Sequence, residues 1–117
     1  MGKRERTRAP GDGTRTVRLQ ELIREELNIV LRGELRDPRL DGVTFTMVEL
    51  SGDGSRARAW FTCENENEID ALEALDRAAG YLRNDIAESL GLKRTPDLRF
   101  RRDPVSRLLA PGSKETI

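Results

Sequence analysis

Apolar residues recur every three or four positions in two long stretches of this chain and every second position in three shorter ones. Leu19, Leu22, Ile23, Leu27, Val30 and Leu31 form one stripe, which predicts an amphipathic helix from about Val17 to Leu35. Thr16 is placed to cap it. Pro38 and Asp41-Gly42 end it, because the residue before a proline is pushed out of the helical region and Asp-Gly favours a turn. Leu72, Leu75, Ala79, Leu82, Ile86 and Leu90 repeat the pattern. They predict helix from about Glu68 to Leu90, stopped by Gly91. Asn65 or Asn67 is the expected cap, with the acids of "ENENEID" at the positive helix end.

Between the helices the period changes to two. In "VTFTMVEL" Val43, Phe45 and Met47 share one face, and Thr44, Thr46 and Val48 the other. In "SRARAWFTC" Ala57, Ala59, Phe61 and Cys63 oppose Arg56, Arg58, Trp60 and Thr62. The glycines of "SGDG" join the two as a hairpin with one buried and one wetter face, and Cys63 is expected as a core thiol. A third strand comes after Pro96, with Leu98 and Phe100 inward and Arg99 and Arg101 outward. The order is α-β-β-α-β, or α-β-β-α-α-β if the second helical stretch divides. Either way it predicts an α+β domain of two layers, a three-stranded sheet with helices on one face.

Composition narrows what such a domain does. At 117 residues the chain supports one core. No apolar run approaches the ~18–20 residues of a membrane span, and the basic "MGKRERTRAP" is not expected to act as a secretory signal. One cysteine and no histidine fit a reducing cytoplasm and leave no N/S metal cluster and no common general base. Residues 1–15 are expected as a flexible basic arm, 16–103 as the folded domain, and 104–117 as a flexible tail.

The net charge of zero conceals sorting. Residues 1–18 carry six Lys/Arg against two acids (+4), residues 49–76 eight acids against two Arg (−6), and residues 77–102 seven Lys/Arg against three acids (+4). A chain sorted this way can present a basic face to a polyanion, although solvated surface alone also produces such sorting.

Enzyme chemistry finds little support. Ser51, Ser55, Ser89 and Ser106 lack a His or Lys base at motif spacing, and "SGDGS" lacks the Gly-Lys-Ser/Thr of a phosphate loop. The stretch "DRAAGYLRND" is more informative. Gly80 sits inside a helical stripe, where glycine costs about 1 kcal/mol relative to alanine. Arg77, Tyr81, Arg83 and Asn84 surround it, and Lys93-Arg94 lie beyond the helix. A helix broken at Gly80 would expose free N–H groups to a phosphate, and the missing Cβ would admit a sugar-phosphate backbone. Small residues at a packing contact explain Ala78-Ala79-Gly80 equally well. Trp60, beside Arg56 and Arg58, is either a stacking platform or a partly covered structural residue.

"RLQELIREELNIVLRGELRDPRL", "GVTFTMVELSGDGSRARAWF" and "ALDRAAGYLRNDIAESLGLKRTPDLRFRRD" together resemble the ribosome-binding factor A family, from about Val17 to Asp103. Specific to it are Asp37-Pro38-Arg39-Leu40, Ser51-x-Asp53, Ala78-x-Gly80 with its following aromatic, and Pro96-x-Leu98-x-Phe100. The resemblance implies a KH-like fold of type II topology, with a kink at Ala78-Ala79-Gly80 dividing two helices where KH domains grip a nucleic-acid backbone. It further implies a non-catalytic, cytoplasmic, monomeric factor. Such a factor binds the small (30S) ribosomal subunit and its 16S rRNA, supports late maturation and precursor processing, and helps growth in the cold. No membrane, small-molecule substrate, cofactor or metal is expected. That kink and the basic cluster around it together mark Arg77, Ala78, Ala79, Gly80, Tyr81, Arg83, Asn84, Lys93 and Arg94 as the expected RNA contact. Gly52 and Gly54 stand where the family often has proline and leucine, which predicts a looser hairpin turn, and the segment after Asp103 matches poorly. A different class of function, a protein-interaction module using the acidic 64–76 region and the Arg56/Arg58/Trp60 face, would make RNA binding incidental.

Overall fold

The structure, a computed structural model, describes residues 12–64 and 68–104. Helix α1 (Asp12–Gly33) leads through a single-turn 3₁₀ helix (Pro38–Leu40) to strands β1 (Thr44–Leu50) and β2 (Arg56–Thr62), then helix α2 (Glu68–Leu90) and strand β3 (Asp97–Arg102). β2 is the central strand, antiparallel to β1 and parallel to β3. Both helices pack on one face of the sheet, as the residue pattern predicts.

On α1 the side chains of Ile23, Leu27 and Val30 are fully buried. Each such burial contributes about 1.5–3 kcal/mol, which fixes the face the helix turns inward. Leu22 is 41% exposed on its flank. The helix starts at Asp12, so Thr16 lies within it rather than capping it. It ends at Gly33, where the N–H groups of Glu34 and Leu35 both donate to the Val30 carbonyl. Asn65, Asn67, the chain before Asp12 and the tail beyond Pro104 lie outside the described residues.

Strict alternation fails in β1. Phe45 pairs with Phe61 and Met47 with Trp60, leaving Thr46 as an extra residue in a bulge. The bulge reverses the facing of the rest of the strand: Val48 is buried and Met47 is 43% exposed, the opposite of the alternating pattern. Across the core, the rings of Phe45 and Phe100 meet at 5.9 Å although their strands are not neighbours. They meet over β2, whose inward residues Ala57 and Ala59 are small and fully buried.

The hairpin turn is well tied despite its glycines. Asp53 Oδ1 accepts from the Ser51 hydroxyl at 2.8 Å, the Ser55 hydroxyl at 2.8 Å and the Ser55 N–H at 3.0 Å. The Ser55 N–H and the two hydroxyls hold the Asp53 carboxyl down to about 2.

The resemblance implies a division at Ala78–Gly80, and the structure corrects it. α2 is one 23-residue α-helix that includes all three residues, giving the order α-β-β-α-β. A glycine's cost of about 1 kcal/mol is outweighed by the burial of Leu75, Leu82 and Ile86 on either side. A break would also strand peptide groups without partners. The helix stops instead at Gly91, whose φ of 65° lets the Leu92 N–H reach back to the Ala87 carbonyl at 3.0 Å.

Candidate nucleic-acid interface

Arg77, Gly80 and Asn84 lie three and four residues apart on the exposed side of α2, with Tyr81 next to them. Ala78 and Ala79 are half-buried and pack against the core, so helix packing accounts for their size. It does not account for Gly80, where an added Cβ would meet nothing within 4 Å. Because α2 is unbroken, there is no second helix N-terminus here and no set of free N–H groups for a phosphate. What Gly80 offers is a bare strip of helix surface between Arg77 and Asn84.

Two of the predicted residues are engaged within the fold. The Arg83 guanidinium donates to the carbonyls of Pro96 at 3.2 Å and Thr95 at 3.3 Å, and pairs with Asp97 at 3.6 Å. It thereby pins the entry of β3 to α2. The Tyr81 hydroxyl donates to a Glu34 carboxylate oxygen, tying α2 to the end of α1. That bond, reinforced by burial, raises the Tyr81 ionisation above its ordinary value.

Lys93 and Arg94 are exposed beyond the C-terminal end of α2. At about 1.5 Å of rise per residue, Gly80 and Leu90 are about 15 Å apart along the helix. The predicted residues therefore form two exposed groups, not one patch. The first also has acidic neighbours. Asp37, held near pKa 2 chiefly by the side chain and N–H of Arg39, also feels Arg77, and Arg39 reaches Glu73 at 3.4 Å.

Where α2 faces α1, carboxylates gather. Asp85 is turned toward Glu26, and its Oδ2 is buried without a hydrogen-bond partner. Burial first, then Glu26, Glu34 and Glu88, push the Asp85 carboxyl up to about 7. When protonated it can donate to Glu26, which also accepts from the Ser89 hydroxyl at 3.1 Å. Among the described residues no cluster of three or more His, Cys, Asp or Glu could hold a metal ion, and no helix is long and apolar enough to cross a membrane.

A second basic surface emerges only in three dimensions. Parallel pairing sets Arg58 against Arg99 and Trp60 against Arg101 on the uncovered face of the sheet. Alternation marks each of these residues as outward. Nothing local shows that β2 and β3 are neighbours, because α2 lies between them in the chain.

A family model described as ribosome-binding factor A matches residues 15–108. The chain belongs to the ribosome-binding factor A family. Ribosome-binding factor A of Thioalkalivibrio sulfidiphilus is 42% identical over 96 residues, covering 80% of this chain and 74% of that protein. The crystal structure of ribosome-binding factor A from Thermus thermophilus matches with a TM-score of 0.70 at 32% identity, over 74% of this chain and 93% of that one. A homology model of the Thermus thermophilus factor, fitted into a cryo-electron microscopy map of a 30S complex, matches with a TM-score of 0.67 at 32% identity, over 77% and 97%.

Proposed function

We propose that this protein is a cytoplasmic, non-catalytic assembly factor of the small ribosomal subunit. It binds the free 30S particle through its 16S rRNA and supports late maturation and precursor processing, including growth in the cold. Membership of the family supports the reading, together with the likeness to a relative described in a 30S complex. In this reading the RNA contact is the exposed α2 surface: Arg77, the Ala78–Gly80 strip, Tyr81 and Asn84, with Lys93 and Arg94 at its end and Arg83 anchoring the neighbouring loop.

The observation that carries this site is Gly80. Its backbone is exposed, its cost to the helix is about 1 kcal/mol, and no contact with the described residues needs the space. Close approach of a sugar-phosphate strand would use it, while Arg77, Lys93 and Arg94 supply affinity that falls with salt. Gel shifts on small-subunit RNA over a salt series test this. Lys93→Glu and Arg77→Glu should weaken binding and flatten its salt dependence. Unchanged affinity and slope in both would place the contact elsewhere. Sedimentation with 30S particles before and after RNase treatment separates RNA binding from docking on a ribosomal protein.

A further inference from the structure

The helices leave one face of the sheet uncovered, and the strand register gathers arginines there. Arg58 lies opposite Arg99, Trp60 opposite Arg101, and Arg56 opposite Asp97. All four arginines are exposed, while Ala57, Ala59, Leu98 and Phe100 between them turn to the core. Glu49 approaches Arg58 at 3.7 Å, and Asp97 is drawn to Arg83 at 3.6 Å. Among the described residues no ion pair engages Arg56, Arg99 or Arg101. Like charges set directly across neighbouring strands are destabilising unless a counter-charge relieves them.

Trp60 gives the face a second property. It is half-buried, and the Arg58 guanidinium carbon lies 5.8 Å from its ring centroid. The stacked guanidinium and indole make a flat, cationic platform. An open groove of about 850 Å³ runs from this platform across β3 toward α2, lined by the same four arginines and bounded on its far side by Glu68 and Asp76.

We propose that this open face of the sheet is a docking surface for single-stranded RNA, distinct from the α2 surface. Arg56, Arg99 and Arg101 take phosphates, and the Arg58–Trp60 platform takes a base. An RNA strand supplies both the repeating negative charge and the π-faces that such a platform stacks. An acidic polypeptide supplies only the charge. The inference shares its class of ligand with the proposed function but rests on different residues, so the two can fail separately.

Trp60 is the only tryptophan in the chain, so its fluorescence reports on this face. Titrating the full chain with a short unstructured oligouridylate should quench Trp60. The combined Arg56→Gln, Arg99→Gln and Arg101→Gln protein should bind at least about ten-fold more weakly, with its salt slope reduced by about 2–3. Each single change should move both readings in the same direction, and thermal melts should not fall, because these side chains are exposed and removing them relieves like charges across the strands. No quench at saturating RNA would overturn the proposal, as would unchanged binding by the triple variant. Quenching by polyglutamate as tight as by oligouridylate would also overturn it, by making the face a site for an acidic protein.

Discussion

Asn28 of α1 and Phe45 of β1 are joined twice: the Asn28 amide donates to the Phe45 carbonyl at 3.0 Å and accepts from the Phe45 N–H at 2.8 Å. β1 is an edge strand, and Asn28 satisfies backbone groups at the bulge that β2 leaves open. Two helical turns earlier, Gln20 accepts from the Leu50 N–H at 2.9 Å. α1 thus closes the edge that would otherwise invite another strand. Asn28 is 5% exposed, the one polar residue that is buried among those described.

Asn28→Ala leaves both Phe45 groups buried and unpaired, at about 1–3 kcal/mol each. A loss of about 3 kcal/mol is expected, lowering Tm by roughly 12 °C or more. Denaturant titration checks it; a loss below about 1 kcal/mol would show that water replaces the amide.

Gly80→Ala should stabilise the fold by about 1 kcal/mol, since the helix is continuous and the Cβ meets open space. If RNA approaches the bare backbone, the same variant binds RNA more weakly while melting higher. A variant that gained stability and kept full affinity would remove Gly80 from the RNA contact.

Arg83→Met withdraws donors from the Thr95 and Pro96 carbonyls and the partner of Asp97. It should cost about 1–2 kcal/mol in a melt conducted without RNA. Any loss of RNA affinity in an Arg83 variant must therefore be compared with its loss of folding. An Arg83→Met protein as stable as its parent would mean the β3 entry holds without this anchor.

Asp85 links stability to pH. Its carboxyl is held up to about 7 in the fold against an ordinary value of 3.8. Between those values the folded chain keeps a proton that the unfolded chain has lost, so this group lowers stability as pH rises from about 4 to 7. Asp85→Asn should remove that decline and raise Tm at pH 8 by about 4–8 °C, equivalent to about 1 kcal/mol, with little change at pH 4. Parallel Tm-against-pH curves for the two proteins would show that burial and the neighbouring carboxylates do not hold the Asp85 carboxyl up in the fold.

Asp53 acts in the opposite sense. Its carboxyl is held down to about 2 by its hydrogen bonds with Ser51 and Ser55, so its contribution is complete above about pH 4 and is lost as pH falls toward 2. Asp53→Asn should flatten the acid limb of the stability curve. An unchanged limb would show that the hairpin turn does not depend on the charge.

The sequence by itself determined the elements and, except in β1 beyond Phe45, the face each one buries, because helix and strand periods are local and burial of Leu27, Phe61, Leu82 and Phe100 dominates the energetics. It could not place the β1 bulge, since a bulge depends on the partner strand and on Asn28, seventeen residues away. It left two readings of α2, and packing on both sides of Gly80 decided for one helix. The candidate site was legible as residue types around Gly80. Only the tertiary structure showed Arg83 and Tyr81 bound within the fold, and Lys93-Arg94 beyond a helix end about 15 Å from Gly80. The same holds for the sheet face. Arg56, Arg58, Trp60, Arg99 and Arg101 were each readable as outward, but the parallel register that joins them is a long-range pairing that no local pattern encodes.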